Sequence, residues 1–278
     1  VRETTSPMPA SDSLADLIDI GANLTHESFA ADLPEVLQRA RDAGVAQMVV
    51  TGADEPHSQQ AAALAAAQPG RLVATAGIHP HHADECTDAT IGALRRLCAR
   101  PEVVAVGETG LDFFRDFSPR EVQERRFCEH IELAIELQMP MFLHMREAHA
   151  RFHAILREFR ARLPAVVVHC FTGEECELRD YLDLDCHIGI TGWICDERRG
   201  HHLREFVHLI PAGRLMVETD APYLLPRDLR PKPKTRRNEP MHLAHILRVL
   251  ATVRGEAPEE TAAHTTGTAR GFFSLPEV

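Results

Sequence analysis

The sequence is short of the features that most often announce a function by themselves. Among 278 residues there is one Trp, and the 7 Cys never form a Cys-x-x-Cys pair. An odd number of unpatterned cysteines suits reduced thiols in a cytoplasm better than a disulfide framework or a cysteine zinc site. No run nears the ~18 consecutive apolar residues that a membrane-spanning helix requires, so no membrane partner is expected. Residues 1–13 lack the basic start and apolar stretch of a signal peptide and read as a disordered leader. No P-loop, G-x-G-x-x-G motif or Ser-His-Asp order is found, which removes the commonest nucleotide-binding and serine-hydrolase readings. Positive charge is scarce too. With 30 Lys+Arg against 41 Asp+Glu the net charge is −11, which argues against a generic binder that attracts nucleic acid over its whole surface.

What is there has the composition of a globular protein, with 44% hydrophobic and 26% charged residues. No Gly/Ser linker or low-complexity block divides the chain, so residues 14–278 read as a single domain. Short apolar runs rich in β-branched residues begin near Leu17, Ala46, Leu72, Val103, Met141, Ala165, Cys186 and Arg214. Their length suits parallel strands buried on both faces. Segments of helical period lie between them. Pro34–Ala43 is stopped by Gly44, and a helix entered through Pro119 runs to about Leu137 with Phe127, Ile131, Ala134 and Ile135 on one stripe. Eight strand–helix units, each on the order of 30 residues, predict an α/β fold of the (β/α)8 TIM-barrel class. Two fused α/β domains are the rival, and nothing resembling a linker supports them.

In such a barrel the chemistry collects where the strands end. The third strand ends at His79, the fourth at Glu108, the fifth at His144, the sixth at His169, and the eighth at Glu218 and Asp220. Any one of these histidines would pass for a hydrogen-bonded core residue. Five strands that all deliver His, Glu or Asp to one mouth point to a divalent metal site. Asp220 precedes Ala221-Pro222, where the strand should break, and is the better candidate of the two acids for meeting a water or a metal. Glu218 suits a supporting role. Strand alternation should turn Cys170 away from the mouth, into the layer between barrel and helices.

The strings GIHPH (77–81), GETGLDF (107–113), HCFTG (169–173), GITGWICDERRG (189–200) and ETDAPYLLPRDLRPKPKTRRNEP (218–240) closely resemble the TatD family of metal-dependent deoxyribonucleases. The likeness runs in matching order from about Leu17 to the end of the chain. It implies an amidohydrolase-type barrel and a Mg2+-dependent 3′–5′ exonuclease that prefers single-stranded DNA or RNA, with DNA repair as the expected setting. By the same resemblance Glu108, His144 and His169 are metal ligands, and Asp220 is the catalytic residue that holds the metal, the nucleophilic water or both. His79 would line the substrate site. Most relatives open with D-x-H-x-H, whose histidines hold a second metal. Here Gly21 and Asn23 occupy those places. Glycine offers no donor and an amide oxygen is a weak ligand, so a second metal is doubtful.

The substrate's charge needs a partner, and charge along the chain is uneven. Arg227, Arg230, Lys232, Lys234, Arg236 and Arg237 stand against one acid, Asp228, directly after the eighth strand. Three prolines, Pro226, Pro231 and Pro233, keep this loop extended. Arg236, Arg237 and Arg146 are therefore candidate phosphate contacts. Trp193 fits either a base-stacking platform or a packing anchor. Phe113 and Phe114 read as core or rim residues. Two other functions remain open at this stage: an ester or amide hydrolase such as an aminoacyl-tRNA deacylase, and a non-catalytic nucleic-acid-binding barrel. A monomer is the expected state.

Overall fold

β-Branched and small apolar residues recur wherever the chain must lie between two layers, and that pattern builds the framework. The computed structural model describes Leu14 and residues 16–277; the expected leader at 1–13 lies outside the described residues. The strands are β1 (Leu17–Ala22), β2 (Val45–Val50), β3 (Leu72–Ala76), β4 (Val103–Asp112), β5 (Met141–Arg146), β6 (Val166–Val168), β7 (His187–Ile190) and β8 (Leu215–Val217). They pair in sequence order and all in parallel. The ring closes through a bridge between Ala22 and Ala221, reinforced by Asn23 N–H donating to Ala221 O at 2.7 Å. The expected eight-unit barrel is what forms.

Around it run α1 (Leu33–Asp42), α2 (Glu55–Ala66), α3 (Asp88–Cys98), α4 (Arg120–Leu137), α5 (His149–Phe159), α6 (Glu175–Asp183), the short α7 (Leu203–Phe206), α8 (Leu243–Arg254) and α9 (Pro258–Phe273). Local chemistry sets their ends. Asp54 accepts from His57 N–H at 2.7 Å to start α2, and Thr87 and Thr90 form a capping box on α3. Gly255, at φ +69°, supplies the left-handed residue that ends α8. On α4 the buried stripe includes Phe127, Ile131 and Ala134, as its sequence period predicts.

Two apolar clusters result. The larger fills the layer between barrel and helices. The smaller takes Ile18, Ile20, Val49, Ala105, Phe142, Val167 and Met216 from the strands, together with Phe272 and Phe273 of α9. Its strand members fill the barrel interior, and α9 plugs one end beside His187, whose ring lies 4.9 Å from that of Phe272. Since His187 begins β7, the plugged end is the amino-terminal one. The carboxyl-terminal mouth stays open for polar groups.

Candidate metal centre at the barrel mouth

Glu108 stands where β4 departs from regular pairing. The register to β5 shifts between Val106 and Thr109. Gly107 and Gly110 flank it at φ +147° and +146°, and a side chain at either would drive into the backbone of β5, at Phe142 O and His144 O. The two glycines of the G-E-T-G string therefore let β4 press against β5 while a carboxylate is turned into the mouth.

Three imidazoles converge on one oxygen of that carboxylate. Glu108 Oε1 lies 2.7 Å from His169 Nε2, 3.0 Å from His144 Nδ1 and 3.4 Å from His79 Nε2. His79, Glu108 and His144 form a group whose ligand atoms all lie within metal-binding reach of one another. The donor chemistry suits a divalent cation. Burial works against a carboxylate here, yet the charge of His169 and the hydrogen bonds from His144 and His169 hold Glu108 well below its usual range. Burial likewise works against charge on His169, but the Glu108 and Glu218 carboxylates raise it well above the ordinary histidine value. The site thus demands positive charge, which imidazolium protons supply in the metal-free protein and a cation would supply in their place. His144 Nε2 is buried and makes no well-aligned hydrogen bond among the described residues, with only an Asp112 oxygen at 3.4 Å; burial works against charge on this ring too, but Asp112 and Glu108 raise it above the ordinary histidine value.

His79 differs from the other two. Its Nδ1 accepts from His81 N–H at 3.1 Å, which leaves the proton on Nε2, facing Glu108. As placed, it presents a hydrogen-bond donor to the mouth. Burial depresses its basicity to about 4 against the pull of Glu108, so it does so as a neutral ring.

Behind these groups lies a supporting layer, part of which the sequence did not single out. Asp112, also in the GETGLDF string, accepts from Phe114 and Arg115 N–H at 3.0 and 2.9 Å through Oδ1. Its other oxygen meets His81 Nε2 at 2.8 Å and lies 3.4 Å from His144 Nε2. Glu218 is fully buried and accepts from Cys170 N–H at 2.5 Å while facing His169 Nδ1 at 3.3 Å. A carboxylate behind an imidazole fixes its ring and raises its basicity. The Glu218 carboxylate sits between Gly21 and Gly189, and a β-carbon at either position would overlap its oxygens. That is the physical reason for glycine at 21: the volume a histidine would enter is already occupied.

Asp220 turns out of the strand direction at φ +53°, and its Oδ1 accepts from Asn23 Nδ2 at 3.0 Å. Burial, with the neighbouring Glu108 and Glu218 charges, outweighs His169 and raises its carboxyl to about 7. Asn23, read from sequence only as a missing ligand, is thus the group that orients Asp220. Cys170 is not in the outer layer expected of it. It adopts φ +46°, so strand alternation does not carry past His169. Its thiol lies 3.7 Å from Thr191 Oγ1 and within the field of Asp220, Glu218 and Glu108.

The rim is aromatic and unevenly basic. Phe114, Phe117 and Tyr223 are the exposed large hydrophobic residues among those described. Arg146 packs its guanidinium 4.3 Å from the Phe114 ring, and His81 meets Phe117 at 4.8 Å. Trp193 is half-buried under Arg199, with its indole Nε1 buried and without a partner among the described residues. The basic loop is tied at both ends. Arg237 pairs with Asp32 and Glu239, each at 2.7 Å, and Arg227 lies 3.6 Å from Asp196. Between them Lys232, Lys234 and Arg236 are exposed, and none has an ion-pair partner among the described residues.

Comparison with known proteins agrees with this arrangement. The sequence profile of the family described as TatD related DNase matches residues 18–274. A protein of Pantoea vagans (strain C9-1) named 3′–5′ ssDNA/RNA exonuclease TatD is 54% identical over 259 residues, which is 93% of this chain and 100% of that protein. One of the same name from Klebsiella pneumoniae (strain 342) is 50% identical over 259 residues, 93% of this chain and 98% of that protein. Among solved structures, YJJV, a TatD homologue from Escherichia coli K12, superposes with a TM-score of 0.85 at 29% identity. The match covers 94% of this chain and 98% of that one.

Proposed function

The chain belongs to the family of TatD-related DNases, and on that premise we propose that it is a metal-dependent 3′–5′ exonuclease acting on single-stranded DNA or RNA. The observation that carries the proposal is the convergence of His79, His144 and His169 on Glu108 Oε1, at a barrel mouth that also holds Asp220. The names of the relatives supply the polarity and the substrate class. Exposed aromatic rings at the rim, together with a loop whose Lys232, Lys234 and Arg236 have no ion-pair partner among the described residues, suit stacked bases and phosphates better than a small neutral amide or ester.

Glu108, His144 and His169 would hold the cation. When bound, it supplies Lewis-acid stabilisation of charge on the phosphate and lowers the pKa of a water. The rest belongs to the protein. Glu218 keeps the His169 ring in its plane. Asn23 holds Asp220 so that its second oxygen can take the proton of an attacking water; burial and the neighbouring carboxylates raise its carboxyl in the metal-free site, and a bound cation would draw it back towards the ionised form that a base needs. His79, a neutral donor, can bind a phosphate oxygen. One cation is proposed, since Glu218 fills the space beside Gly21 and Asn23 is engaged with Asp220. Mg2+ is the proposed physiological ion through its abundance, while imidazole ligands give Mn2+ the higher intrinsic affinity. The free cysteines suit a reducing compartment, and no helix among the described residues is long and apolar enough to cross a membrane.

The test is a 5′-end-labelled single-stranded oligonucleotide, as DNA and as RNA, incubated with the protein and Mg2+ or Mn2+. Stepwise shortening from the 3′ end is expected, abolished by EDTA and by His169→Ala, with Mn2+ effective at lower concentration. An oligonucleotide left intact with both metals would sink the proposal.

A further inference from the structure

A second group of metal-binding side chains lies on the β7–β8 side of the mouth and shares no residue with the Glu108 cluster. Cys195 ends the short 3-10 turn that follows β7, Asp228 belongs to the basic loop after β8, and His245 lies in the first turn of α8. One ligand atom from each lies within 4.8 Å of the others. His245 Nε2 meets Asp228 Oδ1 at 2.7 Å. Cys195 is fully buried, whereas Asp228 and His245 keep 34% and 31% of their side chains exposed, so the thiol forms the floor of a site that opens to solvent on its carboxylate and imidazole side.

We propose that Cys195, Asp228 and His245 bind a Zn2+ ion that fastens the basic loop to α8. Thiolate, imidazole and carboxylate together are a donor set that zinc accepts and that the harder Mg2+ does not. Ligands held tetrahedrally at about 2.0–2.3 Å lie roughly 3.3–3.8 Å apart. The imidazole and carboxylate must separate slightly from their 2.7 Å hydrogen bond, a movement that a loop residue and a surface imidazole can make around the buried thiol. The cation takes the place of the thiol proton, which leaves to solvent, and of any proton on His245 Nε2; the imidazole binds as a neutral ring with its one proton on Nδ1. A water completes the fourth position on the exposed side. The location gives the ion a purpose. The loop's outer cations are tied by Arg227 to Asp196 and by Arg237 to Asp32 and Glu239, and Asp228 is the acid that reaches across to α8. A bound ion would turn that single contact into a rigid clamp on the segment that carries Lys232, Lys234 and Arg236.

Cobalt(II) is the probe, because a thiolate ligand gives it a near-ultraviolet charge-transfer band that imidazole and carboxylate ligands do not. Full-length protein, stripped with chelator and kept reduced, is titrated with Co2+ as wild type, Cys195→Ser, Cys170→Ser and His245→Ala. Cys170 is included because it is the thiol near the Glu108 cluster. The band should appear in wild type and in Cys170→Ser, vanish in Cys195→Ser, and be bleached by added Zn2+. His245→Ala should raise the Co2+ midpoint by at least the roughly tenfold that loss of even an outer-shell partner costs. No band in wild type overturns the proposal, whatever the variants do, and so does a band that survives Cys195→Ser. A midpoint unchanged in His245→Ala overturns the three-ligand site. Since the band reports a thiolate alone, failure here leaves the nuclease assignment untouched, and an inactive nuclease leaves this site untouched.

Discussion

Asp220 carries the sharpest consequences at the scale of single residues. It touches Asn23 rather than a basic residue, so Asp220→Asn removes a charge without leaving a cation stranded in the site. The variant should fold, with an unchanged circular dichroism spectrum, and lose about 10²–10⁴ in kcat, the usual contribution of a general base. Retained turnover with saturating metal would show that another group takes the proton. His130 gives a second consequence, in stability. Its Nε2 accepts from Ile78 N–H at 3.1 Å and its Nδ1 faces Arg126 O at 2.7 Å, so a helix side chain holds the backbone just ahead of His79. Burial lowers its pKa to about 4, against an ordinary value of 6.5. The folded chain therefore binds fewer protons than the unfolded one between those values. The stabilisation is present in full above about 6.5 and is lost as the pH falls towards 4, by up to about 3 kcal/mol. Denaturant melts of wild type and His130→Gln should converge over that window as the pH is lowered. A constant gap between them would remove His130 from the account.

At the scale of elements, the basic loop divides into anchored ends and a free middle. Arg236 is exposed and unpaired among the described residues, whereas Arg237 donates to Asp32, Glu239 and the Ser28 carbonyl and lies 5.1 Å from the Phe29 ring. The two adjacent arginines, alike in sequence, should therefore fail differently. Arg236→Ala should weaken single-stranded DNA binding and reduce the magnitude of the slope of log affinity against log salt by about 0.7. Arg237→Ala should leave the slope unchanged and speed proteolytic nicking between residues 226 and 236. Affinity titrations across salt concentration, with a timed protease digest, check both. The loop after β4 offers the apolar counterpart. Phe114 is 49% exposed and backed by Arg146, so Phe114→Ala should cost about 1–3 kcal/mol of single-strand affinity if a base stacks there. An equal affinity for both proteins would place the bases elsewhere on the rim.

For the whole molecule, a net charge of −11 is compatible with a polyanionic substrate because the attraction is confined to the mouth. Arg230, Lys232, Lys234 and Arg236 are the loop cations without ion-pair partners among the described residues, Arg230 being turned to the carbonyls of Arg227 and Leu229. At about 0.7 per neutralised phosphate on a single strand, contacts from Lys232, Lys234 and Arg236 give a salt slope near −2, and a fourth from Arg230 would bring it near −3. A much steeper slope, measured by equilibrium binding with a non-hydrolysable strand, would mean that further basic surface is engaged. The barrel supplies the other half of the argument. Its amino-terminal end is packed by α9, and its carboxyl-terminal end is where β4, β5, β6 and β8 bring their polar residues together. Stability and chemistry occupy opposite ends of one sheet.

Much of this was legible in the chain itself. Strand and helix are written in local periodicity, so eight β-branched runs separated by amphipathic segments sufficed for the barrel, and the rule that parallel strands end at the active face sufficed to collect His79, Glu108, His144, His169 and Asp220. Gly107 and Gly110 were visible as letters, but their function, letting β4 close on β5 around Glu108, appears only when the two strands are side by side. Periodicity says nothing once the backbone leaves it. The left-handed conformation of Cys170 broke the alternation used to aim its side chain, and that of Asp220 turns the chain where the strand was expected to break. Nor does local pattern reach across the chain. That Asn23 holds Asp220, that Glu218 fills the place of a histidine at 21, that Arg237 is tied down while Arg236 is free, and that Cys195, Asp228 and His245 meet at all are products of barrel closure. The sequence determined which chemistry was available at the mouth, because residue type and strand order are local and linear. Tertiary structure alone decided which atom faces which, because those pairings join segments as far apart as 209 residues and depend on the space that neighbouring strands leave between them.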